Sequence, residues 1–97
     1  MSSTVQRGGE AFYTIAAARD AVHEFETKGI AVSGIEGFRI TESSTEPLLD
    51  YIAHWPTTSA QPRERRVRES AMYCLRTLAR WEADAPPDFM VSLGVNE

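Results

Sequence analysis

Ninety-seven residues with 42% apolar and 25% charged side chains make one small domain with a single modest core, and leave no room for a multidomain enzyme. The net charge of −4 argues against a general nucleic-acid binder, and no apolar run approaches the roughly 20 residues of a membrane span. The lone Cys74 excludes an internal disulfide, and the polar opening M-S-S-T-V-Q-R-G-G-E has no apolar signal segment, so a cytoplasmic protein is expected.

Residues 1–9 read as a flexible, polar N-terminal arm, with one α+β domain over 10–97. From Glu10 the spacing turns helical: Phe12, Ile15, Ala18, Val22 and Phe25 recur at steps of three or four, and alanines raise helix propensity. A helix is predicted over 10–28, closed by Gly29 in the left-handed conformation.

A strand follows from Ile30. Its even positions, Ile30, Val32, Phe38 and Ile40, carry more apolar bulk than its odd ones, so the even face is assigned to the core. Gly34 and Glu36 break that face, and an interruption is expected between Ser33 and Gly37. Residues 42–46 read as a turn, and the return strand runs from Leu48 to Trp55 with Leu49, Tyr51, Ala53 and Trp55 facing inward. Pro47 fits only a strand start or edge.

The stretch W-P-T-T-S-A-Q-P is a loop, and Pro62 suits the first position of the next helix. Val67, Ala71, Cys74, Leu78 and Trp81 form its apolar stripe, widened by Leu75, and Ala85-Pro86-Pro87 stops it. A last strand alternates Phe89, Val91, Leu93 and Val95 against Met90, Ser92 and Gly94. The expected order is α-β-β-α-β, a small antiparallel-containing sheet with both helices on one face.

Charge is unevenly spread. Residues 1–62 carry four basic and eight acidic side chains, whereas 63–82 carry six arginines against three glutamates. The run R-E-R-R-V-R-E, interrupted by glutamates and lacking interleaved aromatics, reads as a solvated helix face rather than a phosphate-binding surface. His23 reads as solvated and Cys74 as a buried small hydrophobe. His23, His54 and Cys74 show no metal-ligand spacing, so neither metal nor cofactor is expected.

The hairpin is the candidate binding element. With alternate residues turned to the core, Arg39, Asp50 and His54 share the opposite face, bordered by Glu42 and Glu46 of the turn, and Glu36 stands where an apolar residue would pack. These six residues are the candidate partner-binding set. The Gly-Ile strand, Glu36-Gly37-Phe38 and the run P-L-L-D-Y-I-A-H-W over 47–55 make residues 29–84 resemble small bacterial α+β immunity-type proteins that neutralise polymorphic toxins. That resemblance implies a cytoplasmic inhibitor that binds one toxin domain. Two other classes stay open: a homo-oligomeric structural domain, or a small hydrolase using Asp50 and His54.

Overall fold

The computed structural model describes residues 4–55 and 61–96. Among these residues seven elements follow one another: β1 (Thr4–Arg7), β2 (Glu10–Tyr13), α1 (Ile15–Thr27), β3 (Ala31–Ile40), β4 (Thr45–His54), α2 (Arg63–Glu82) and β5 (Phe89–Asn96). The strands form one antiparallel sheet in the order β1-β2-β5-β3-β4, so the chain is an α+β domain with five strands among the described residues rather than three.

The start of the chain departs most from expectation. Thr4–Arg7 is not a free arm but an edge strand, and residues 10–13 are strand rather than helix. Gly8 and Gly9 have φ of 57° and 80°, the backbone that a two-residue hairpin loop requires and that glycine adopts without strain. Helix α1 begins only after Thr14, whose side chain accepts a hydrogen bond from the Ala17 amide at 3.2 Å.

The end of α1 is as expected. Gly29 has φ of 74°, its amide donates to the Glu26 carbonyl, and the Ile30 amide reaches back to the Phe25 carbonyl at 2.8 Å. That pair of bonds is the Schellman closure. It turns the chain directly into β3.

Both helices lie on one sheet face. Ala18 and Val22 of α1, Ala71, Cys74, Leu78 and Trp81 of α2, and Val32, Ile35 and Val91 of the sheet form one buried cluster. The α2 stripe read from the sequence is buried as expected. A second, smaller cluster of Phe12, Ile40 and Met90, flanked by Val5 and Phe38, occupies the other face. The register proves the opposition. Phe38 pairs with Met90 and Gly37 with Val91, and neighbours along a strand alternate sides.

Two irregularities decide which β3 residues face which core. A register shift lies between Val32 and Gly34, so Val32 and the odd-numbered Ile35 both reach the helices while Phe38 and Ile40 turn to the second core. One even face therefore does not run the length of the strand. The backbone at this bulge is held from both sides: the Val32 amide donates to Ser70 Oγ at 3.1 Å, and Trp55 Nε1 donates to the Val32 carbonyl at 2.6 Å.

Arg7 ties the sheet together. Its guanidinium donates to the carbonyls of Thr41 and Ser44 and to Thr45 Oγ1, all at the β3–β4 turn. In a flat sheet β1 and β3 would stand about 14 Å apart. These bonds therefore require the sheet to curl around the second core.

Burial of Cys74 has a testable consequence. Its surroundings push the thiol up to about 12, against the ~8.5 of an exposed cysteine. The folded chain thus keeps a proton that the unfolded chain releases. Its stabilising contribution is complete below about pH 8.5 and is lost progressively as pH rises toward 12, with a slope of up to about 1.4 kcal/mol per pH unit. Urea melts at pH 8 and pH 10.5 are expected to show a fall that is shallower in Cys74→Ala. Iodoacetamide is expected to label Cys74 at pH 8 only after unfolding.

Candidate functional site

The site is the β3–β4 hairpin, and its shape follows from a second irregularity. Glu36 pairs with Ile52 and Phe38 pairs with Pro47, so Gly37 alone stands opposite the four residues Leu48 to Tyr51. The extra length bulges from an edge strand. Leu49 is carried out with it and is 80% exposed, where the alternation had assigned it to the core. Tyr51, Ala53 and Trp55, the other inward-facing residues expected of this strand, do pack against the main cluster.

Gly37 makes the bulge possible. A Cβ there would lie 2.6 Å from both the Tyr51 Cβ and the Phe89 ring. Tyr51 and Phe89 close over it edge to face, with ring centroids 4.9 Å apart, and Tyr51 packs against Trp81 at 5.5 Å. The root of the bulge is thereby pinned to the core while its crest stays in solvent.

Exposed acidic side chains lie along the same hairpin. Asp50 adjoins Leu49, and Glu42 and Glu46 are exposed on the turn and the strand. The Tyr51 hydroxyl donates to the Asp84 carbonyl at 3.1 Å, bringing the end of α2 to the hairpin. The phenol is held above its usual range, first by desolvation and then by the carboxylates of Asp84 and Asp50. Asp84 is a member of the acidic rim that the hairpin sequence alone could not show.

The six expected site residues do not share one face. Arg39 pairs in register with Glu46 and Phe89, on the helix side, rather than with Asp50. Its Nε is buried without a hydrogen-bond partner among the described residues. His54 and Glu36 lie on the opposite face, with His54 Nε2 3.8 Å from Glu36 Oε1. The imidazole covers Gly34, where a Cβ would sit 2.2 Å from its ring. The bulges at Val32/Gly34 and Glu36/Phe38 flip the alternation that had grouped Arg39, Asp50 and His54.

Beside Glu36 and His54 is a recess of about 140 Å³, reached also by Glu10 and Ser92. His54 has Glu36, not Asp50, as its carboxylate neighbour, which removes the pairing on which a hydrolase reading rested. Among the described residues no group of three or more His, Cys, Asp or Glu side chains is arranged to hold a metal ion. No helix among them is long and apolar enough to cross a membrane.

The chain matches no family model, no curated protein and no solved structure.

Proposed function

We propose that this protein is a cytoplasmic inhibitor of the immunity type, which binds a toxin domain through the acidic crest of its β3–β4 hairpin and masks a basic, nucleic-acid-cleaving surface. The observation that carries the reading is Leu49, 80% exposed on a bulge and flanked by Asp50. A single exposed leucine is ordinary. This one is lifted off an edge strand by extra residues whose base is fixed by aromatic packing, and Asp50 adjoins it in the chain. An apolar anchor within a charged rim is the anatomy of a protein-binding patch.

The edge itself is guarded against strand addition. Pro47 lacks an amide proton, and the bulge interrupts the ladder. A symmetric antiparallel dimer centred on this part of β4 would also bring the Glu46 and Asp50 carboxylates of the two copies together, which disfavours the homo-oligomeric alternative. Recognition therefore runs through side chains, with negative charge steering a basic partner.

The test uses the product of an adjacent toxin-like gene. Co-purification as a complex is expected. Glu46→Lys combined with Asp50→Lys is expected to slow association about tenfold or more at low salt, read by stopped flow. An unchanged association rate overturns the assignment of this surface.

A further inference from the structure

The helical side of the molecule carries a second surface of opposite character. Two recesses of about 390 Å³ and 420 Å³ lie between α1 and α2, and both are lined by Glu26 and Arg68. They adjoin at these two residues. Together they run from Arg63 to Ala79, which at 1.5 Å per residue is about 24 Å, or a little over four helical turns.

The floor of this trough is apolar. Val67, Ala71, Leu75 and Ala79 follow one another at four-residue steps along α2; Val67 and Ala71 are buried, Leu75 is half-buried, Ala79 is exposed, and Met72 stands beside them 42% exposed. Arg68 and Arg76 flank Met72, one turn on either side. Neighbouring arginines are already engaged: Arg65 with Glu69 at 2.9 Å, Arg19 with Glu82 at 2.6 Å, and Arg63 Nε with the Gly29 carbonyl at 2.9 Å. Arg68 and Arg76 have no ion-pair partner among the described residues.

We propose that this trough binds a short amphipathic helix with acidic flanks. The apolar residues of such a helix would rest on Met72, Leu75 and Ala79, and its carboxylates would meet Arg68 and Arg76. The length matches a four-turn segment, and helix-in-groove recognition needs apolar anchors at i, i+3, i+4 and i+7 over a floor of this kind. Nucleic acid fits less well, because phosphate binding needs a dense basic face and much of this lining is apolar. A second copy docking through its own α2 would set arginine against arginine.

The probe is a fluorescein-labelled helical peptide of about 18 residues, with leucines at that spacing and glutamates on its flanks, titrated with the full chain and followed by anisotropy. Saturable binding is expected, with a gain of peptide helicity and no binding of the same peptide with lysines for glutamates. Arg68→Glu with Arg76→Glu is expected to weaken it at least about tenfold. Ala79→Trp, which fills the trough without changing its charge, is expected to weaken it as well. Glu46→Lys with Asp50→Lys is expected to leave it unchanged, which keeps this site separable from the hairpin. Absence of binding at about 1 mM protein, equal binding of the lysine peptide, or indifference to the arginine reversal overturns the proposal. So does capture by anionic phosphatidylglycerol vesicles without capture of the peptide.

Discussion

Leu78→Ala is expected to cost about 3–5 kcal/mol of folding stability and to lower the melting temperature by roughly 15–30 °C. Leu78 is fully buried where α1, α2 and the sheet converge, within the cluster formed by Ala18, Val22, Val32, Ile35, Cys74, Trp81 and Val91. Several of these neighbours are β-branched and held in sheet or helix, so they have little freedom to collapse into the space a removed isobutyl group leaves. A domain of this size holds about 5–15 kcal/mol in all, so the variant stands near the edge of folding at 37 °C. Urea and thermal melts followed by circular dichroism read the effect. Leu49→Ala is the internal control: the same substitution on the exposed crest is expected to change stability by less than about 0.5 kcal/mol. A loss under 1 kcal/mol at Leu78, or equal losses at both leucines, would mean that α2 is not seated as described.

The features legible in the sequence are those whose signal is local. The stripe Val67-Ala71-Cys74-Leu78-Trp81 needs only the 3.6-residue period of α2 to identify its buried face, and it is buried. Gly29 after Lys28 needs only the backbone preference of glycine to announce the end of α1, and its φ of 74° follows. Even the opening hairpin had a local signal. Gly8-Gly9, set between T-V-Q-R and E-A-F-Y, is a two-residue loop between short β-prone runs. Phe12 masks that signal by continuing the spacing of Ile15, Ala18 and Val22. Helical spacing across Thr14 is a coincidence of two elements, and the Thr14 cap marks where the true helix starts.

The candidate site was harder to read for a physical reason. Strand alternation assigns faces only while the register is continuous, and one extra residue reverses every assignment beyond it. The shift between Val32 and Gly34 sends Ile35 to the helices and Phe38 to the second core, and the Leu48–Tyr51 bulge expels Leu49. Each shift depends on residues elsewhere in the chain. Ser70 and Trp55 hold the Val32 peptide, and Phe89 and Tyr51 close over Gly37. The glycines at 34 and 37 signalled that something irregular happens there. They did not signal which residues it would expose.

Leu49→Asp tests what that exposure is for. Because the side chain meets solvent, the substitution is expected to leave the melting temperature within about 2–4 °C of the parent. If the crest is the anchor of the toxin-domain complex proposed above, the same change places a carboxylate in a desolvated apolar contact. The expected loss is then about 2–4 kcal/mol, or roughly 30-fold to 1,000-fold in affinity. The kinetics divide the labour of the patch. Reversing Glu46 and Asp50 acts on encounter and so on the association rate, with an effect that fades as salt rises. Removing the anchor acts on the docked state and so on the dissociation rate, with little dependence on salt. Surface plasmon resonance at two ionic strengths separates these effects. A Leu49→Asp complex that dissociates as slowly as the parent, beside a charge-reversed one that still associates more slowly, would show that the acidic rim steers a partner whose apolar contact lies elsewhere. Ile52, 44% exposed and paired in register with Glu36, would then be the next residue to substitute.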